Sequence, residues 1–322
     1  MTTGWANDSH VVIVAGKGGV GSSTTAAALS VMAARSGADV LLIAVDGKPG
    51  LGPLLGGQPL NQNEQVLRSY ARSGRVRGRT IPPAQAFGDY LDLKGVGSLV
   101  RRAASAASLD LVAAATPGLE HLLVLGKIKE LELARAADLI VVDAPPAGHA
   151  APFLRAAVAL RDAVASGPIH DQAVEVAAML ADRARTQALL VTLPEETPVN
   201  EVVELAYDIE EVLGIALGPV VINCCWADRA GLALTALAAS RASAVTLSAA
   251  DRRLLDLSSS FGASRLQVQR EQIDRLATAL PIPSVQLPRL PTPRLLPEHV
   301  ELLAEALATE PARPNARPAA RR

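Results

Sequence analysis

A short apolar run, VVIVA from Val11 to Ala15, breaks directly into GKGGVGSST and then into an alanine-rich stretch. The run fits a buried parallel strand, and the alanine-rich stretch predicts a helix over about residues 24–36. Between them, Gly16, Gly18, Gly19 and Gly21 let the backbone curl with its N–H groups inward, with Lys17 and Val20 riding on the curl. Such a curl is a nest for phosphate oxygens, and the helix opening near Ser23 adds the positive end of its dipole. Ser22, Ser23 and Thr24 stand at that opening, and the hydroxyl of Ser23 or Thr24 can serve a Mg²⁺ ion. A glycine-rich turn without chemical role is the plain alternative. The strand before the loop and the helix after it weigh against that alternative.

The rest of the chain repeats the alternation. Gly37 suits the left-handed end of the first helix, and residues 40–45 (VLLIAV) form a second buried strand that delivers Asp46 to its carboxyl end. Residues 47–60 are a Gly- and Pro-rich loop. Residues 61–135 predict a mainly helical insertion, with one possible strand at 76–81. Strands follow at 139–143, 188–193 and 219–223, separated by helices at about 150–165, 171–185 and 198–213. Residues 227–280 look helical throughout, 284–287 suit a last strand, and Pro297 opens a terminal helix. The pattern predicts an α/β fold, a mostly parallel sheet with helices on both faces plus a helical insertion. We expect a single domain over residues 1–308 and a disordered basic tail over 309–322.

GKGGVGSST resembles the deviant Walker A motif, KGGxGK followed by Ser or Thr, of the ArsA family of anion-transporting ATPases and its P-loop relatives. VVDAPPAGHAAPFL (residues 141–154) resembles that family's switch II sequence, and TPGLEHLL, GKIKE and GPIHDQA are similar to segments around it. The resemblance covers roughly residues 10–225. It implies a P-loop NTPase fold that uses ATP and Mg²⁺, with residues 16–24 as the phosphate loop, Asp143 near Mg²⁺ through water, and Ser23 as a direct metal ligand. It further implies Gly148 beside the γ-phosphate and Asn223 on the adenine. Lys17 matches the lysine that reaches a partner subunit's phosphates, so the expected assembly is a homo- or heterodimer. Asp46 matches the carboxylate that orients the attacking water, although VDGKPG departs from the family's usual DPAH there, and an ordinary loop-capping Asp remains open. His149 falls in switch II and reads as structural.

The chief departure is Ser22, which stands where the family has a second lysine on the β- and γ-phosphates. Charge neutralisation is most of what proteins contribute to phosphoryl transfer, so slow or partner-dependent hydrolysis is expected. Retention of Lys17 with loss of the second lysine favours a heterodimer with a related intact ATPase. A pseudo-ATPase serving as a regulatory subunit is the other reading. Lys48 is expected to face solvent, with replacement of the missing lysine as the open alternative.

Composition excludes several other functions. Net charge is −1, from 31 basic and 32 acidic residues, which offers no footprint for nucleic acid. No leader-like start and no apolar span of membrane length are present, so a cytoplasmic protein is expected. The two cysteines, Cys224 and Cys225, are adjacent, which suits small strand-end hydrophobes and neither zinc, nor an iron–sulfur cluster, nor separated arsenite-binding thiols. Three methionines do not make the adaptable Met-rich groove that holds apolar clients.

Overall fold

The computed structural model describes residues 9–45, 48–93, 116–145, 147–228, 234–243, 245–309 and 311–312. The chain opens with β1 (Val11–Gly16), α1 (Ser22–Arg35), β2 (Asp39–Ala44), the short α2 (Leu51–Leu54), β3 (Gln65–Ser69) and β4 (Arg75–Thr80). Then come α3 (Pro83–Leu93), α4 (Leu119–Leu133), β5 (Leu139–Asp143), α5 (Ala147–Ala163), α6 (Pro168–Ala181) and β6 (Thr186–Thr192). The last part holds α7 (Glu196–Tyr207) with a π-helical turn (Asp208–Val212), β7 (Val220–Cys225), α8 (Ala236–Ser243), α9 (Ala249–Ala279), β8 (Ser284–Pro288) and α10 (Pro297–Leu307).

The strands form one eight-stranded sheet in the order β3-β4-β2-β5-β1-β6-β7-β8. β3 pairs antiparallel with β4, and every other neighbouring pair is parallel. Because successive side chains on a strand point to opposite faces, β1 feeds two cores. Val11, Ile13 and Ala15 pack on the side of α4, α5, α6 and α7, with Phe153, Leu125 and Met179. Val12 and Val14 pack on the other side, against α1 and α10, with Leu29, Val300 and Leu307. Ala26, Ala27, Ala28, Ala33 and Ala34 of α1 are all buried, and their small side chains let that helix lie between the sheet and α10. Among the described residues, no helix is long and apolar enough to cross a membrane.

Two expectations change. The possible strand expected at 76–81 is present as β4, but residues 65–80 as a whole are an edge hairpin of the main sheet, with β3 unexpected, and not part of a helical insertion. Their second strand, RVRGRT, alternates charged and buried positions, so it has no apolar run to announce it. The stretch expected to be helical throughout 227–280 is broken between α8 and α9, where Ser248 caps α9. Its Oγ accepts from the Asp251 N–H at 3.1 Å, and Asp251 Oδ2 accepts from the Ser248 N–H at 3.3 Å. The long helix then leaves Leu254, Leu255, Leu257 and Phe261 exposed, so its apolar surface is made by leucine and phenylalanine and not by methionine.

Candidate functional site

In a parallel sheet, groups that bind ligands collect beyond the carboxyl ends of the strands. Register brings β1, β5 and β6 to that end together: Val14 lies opposite both Asp143 and Leu189. The loop after β1 turns there under tight constraint. A Cβ on Gly16 would come within 2.6 Å of the Val191 carbonyl oxygen and 2.7 Å of Ser22 Oγ. Gly21, at φ +92°, is the N-cap residue just before α1, and a Cβ there would stand 2.2 Å from Asn223 Nδ2. Above Gly18 and Gly19, by contrast, an added Cβ would meet nothing within 4 Å. Glycine is thus required on the inside of the turn for closeness, and on the outside it leaves the backbone bare toward open space.

That space is a cavity of about 260 Å³ lined by Gly16, Lys17, Gly18, Gly19, Gly21, Ser22, Ser23, Thr24, Lys48 and Ala144. The Thr25 N–H donates to the Gly21 carbonyl at 2.9 Å, so the N–H groups of residues 22–24 precede the first intrahelical bond. Ser22 Oγ is buried without a hydrogen-bond partner among the described residues. Orphan donors at a helix start, a bare glycine backbone and an unmatched hydroxyl together suit a phosphate group. Val20 turns the other way and is buried under the loop.

Two lysines line this cavity, and each is engaged. Lys17 Nζ lies 3.1 Å from Glu201 Oε1 of α7 and remains 40% exposed. Lys48 does not face solvent as expected. Its Nζ donates to Asp143 Oδ1 and to the Ala144 carbonyl, both at 2.9 Å. Asp143 is fully buried at the end of β5, where an isolated carboxylate would be costly, and the Lys48 ammonium supplies a countercharge. Sequence reasoning placed Lys48 outside because spacing does not show that β2 lies beside β5. Ala44 pairs with Asp143, so a side chain that follows β2 closely can reach that carboxylate.

Asn223, expected on the adenine, is hydrogen-bonded to the loop backbone. It is not among the residues lining the cavity. Its Nδ2 donates to the Val20 carbonyl at 2.8 Å and its Oδ1 accepts from the Cys224 N–H at 2.8 Å, so both ends of the amide brace backbone behind the loop. Cys224 takes a left-handed backbone at φ +56° and is exposed, unlike the small strand-end hydrophobe expected there. Cys225 is buried, and burial, with Cys224 beside it, pushes its thiol up to about 12. Gly148 and His149 stand exposed near the start of α5 and are not among the residues lining the cavity. Asp46 lies outside the described residues.

For a metal ion, the available donors are the Ser23 hydroxyl on the cavity wall and the Asp143 carboxylate, hard oxygens of the kind Mg²⁺ takes. The donor set and the unmatched Ser22 hydroxyl fit a phosphate with its divalent cation. A parallel sheet that sends a glycine loop into a helix start beside a strand-end aspartate defines a P-loop NTPase fold.

Comparison with known proteins narrows that class. Residues 9–66 match the family model described as anion-transporting ATPase. The chain is 35% identical over 218 residues to ATPase BagA of Mycobacterium tuberculosis, covering 66% of this chain and 64% of that one. It is 29% identical over 224 residues to an arsenical pump-driving ATPase of Escherichia coli, covering 69% of this chain and 36% of that one. A third match, 30% over 207 residues, is to the arsenical pump-driving ATPase of Acidiphilium multivorum, covering 64% and 33%. These matches support membership of the ArsA-like anion-transporting ATPase family. The chain spans just under two thirds of the length of its mycobacterial relatives.

Proposed function

We propose that the chain binds ATP with Mg²⁺ in the glycine loop, hydrolyses it slowly or only with a partner, and works as a dimeric switch. The observation that carries this reading is the bare backbone of Gly18 and Gly19 facing a cavity that the Ser23 hydroxyl and Lys48 also line, with Asp143 beside it. In this reading Ser23 and Asp143 hold the metal, residues 16–24 hold the phosphates, and Asp46 positions water. The relatives named as ATPases support the class of reaction. Their arsenical role is not carried over, because the adjacent cysteines cannot supply separated thiols.

Titration calorimetry with ATP, ADP and AMP, each with and without Mg²⁺, tests the reading. Weak but saturable binding of ATP and ADP is expected. Absence of heat from either nucleotide at millimolar concentration contradicts it.

A second reading is favoured by Ser22 itself: the chain serves as a non-hydrolysing subunit beside a related ATPase with an intact loop. Lys17, 40% exposed, would leave Glu201 and complete the partner's site. Co-purification from the native host with mass spectrometry separates the two. A related ATPase recovered with this chain supports the heterodimer, and a self-paired dimer indifferent to Lys17→Ala contradicts it.

A further inference from the structure

The loop lacks a lysine at position 22, yet the cavity does not lack a second cation. Lys48 lines it from the loop after β2, while Ser22 lines it from the start of α1. We infer that Lys48 is a displaced phosphate lysine: it supplies to the terminal phosphates of a bound nucleotide the charge that Ser22 cannot. The inference rests on the nucleotide-binding reading above and names the residue that makes that site workable.

Three observations converge on it. Lys48 is one of two cationic side chains on the cavity wall among the described residues, and the other, Lys17, is turned onto Glu201. The Lys48 side chain is only 23% exposed, and its ammonium is held at the end of β5 by Asp143 Oδ1 and the Ala144 carbonyl, so it is already stationed in the cavity of the glycine loop. Position 22 carries a buried, unmatched hydroxyl in place of an ammonium, so the start of α1 brings no charge of its own to the cavity. The contact with Asp143 gives the arrangement its logic. A carboxylate that is to receive a divalent cation needs a countercharge until then, because a buried isolated charge is unfavourable. Lys48 fills that role in this structure. Once the carboxylate faces a divalent cation, like-charge repulsion disfavours the ammonium at the same oxygen, and the phosphates are the nearest alternative anion. A flexible four-carbon stem with three rotatable donors suits such a change of partner better than a planar guanidinium would.

The test uses the full chain and measures affinity rather than turnover. Mg²⁺–ATP and Mg²⁺–AMP are titrated into the parent, Lys48→Ala, Lys48→Arg and the double variant Ser22→Lys with Lys48→Ala. Lys48→Ala is expected to weaken ATP about ten- to a hundredfold while moving AMP less than about threefold. The double variant is expected to recover most of the ATP affinity, since the charge returns at position 22. Lys48→Arg is expected to fold and to retain an intermediate affinity. Absence of ATP binding by the parent removes the nucleotide reading and this inference with it. Binding by the parent that Lys48→Ala leaves unchanged removes this inference alone. Equal weakening of ATP and AMP without rescue by the double variant makes Lys48 a structural brace and overturns the assignment. Where Lys48→Ala does not fold, an acyl-phosphate derivative of ATP, which acylates amines beside the terminal phosphate, is applied to the parent. Acylation of Lys48 that excess ATP suppresses is expected, and acylation confined to Lys17 overturns the inference.

Discussion

The two ends of the central strands handle charge in opposite ways. At the amino ends of β2 and β4, Asp39 takes paired bonds from two guanidinium groups: Arg75 through Nε at 3.1 Å and Nη2 at 2.7 Å, and Arg77 through Nε at 2.8 Å and Nη2 at 3.1 Å. Arg77 also donates to the Ala136 carbonyl, and Asp138 Oδ2 accepts from the Asp39 N–H, so the cluster closes upon itself. Nearby, Glu132, buried, receives Arg185 through two donors. At the carboxyl ends, the contacts around the glycine loop are single ion pairs, Lys48 with Asp143 and Lys17 with Glu201, beside an unmatched Ser22 hydroxyl. Bidentate pairs fix geometry as well as charge. The closed end therefore holds the sheet, and the other end is left for a ligand to complete.

The largest effect expected from breaking this contrast is at Gly21. Alanine there must adopt φ +92° and press on Asn223 Nδ2. A stability loss of about 2–4 kcal/mol is expected by urea denaturation, with loss of ATP binding. A Gly21→Ala protein of parental stability and affinity shows that the loop is not held as described.

Asp39→Asn should act in the opposite sense on function. Burial alone raises the Asp39 carboxyl, but bonds and charge from Arg75 and Arg77 outweigh it and hold it below its usual value of 3.8. A lowered folded value means that the stabilisation is present above that pH and lost as pH falls through the folded value. The parent should thus exceed Asp39→Asn by about 1.5–3 kcal/mol at pH 7, and the gap should close in strong acid. ATP affinity at neutral pH should be equal in the two proteins. A changed affinity would mean that the two ends are coupled.

The smallest effect, and the sharpest one, concerns Asn223. As a brace of the loop, Asn223→Ala should cost about 1 kcal/mol and weaken ATP and inorganic tripolyphosphate alike, by about threefold to tenfold. As an adenine contact, it would weaken ATP and leave tripolyphosphate untouched. Calorimetry with both ligands distinguishes the two roles.

The sequence announces the strands that are buried on both faces, because nothing polar interrupts VVIVA, VLLIA or LIVVD, and glycine spacing marks the turn after the first. It shows β4 less plainly, because the arginines that clamp Asp39 stand at every second position and leave no apolar run. The loop residues of the site are equally legible, since one local segment contributes them all. Lys48 and Asn223 are not, for a common reason. Their partners, Asp143 and Val20, are remote in sequence and come close through strand order alone. Local pattern carries no information about which strand lies beside which.

Amide hydrogen exchange with and without Mg²⁺–ATP tests the division between the two ends most directly, because it reads both in one experiment. The account predicts slower exchange at residues 16–24 and around 143–148 when nucleotide is present, with residues 39 and 75–79 unchanged. Exchange at residues 16–24 that is indifferent to Mg²⁺–ATP, or slowed no more than at residues 75–79, would contradict it.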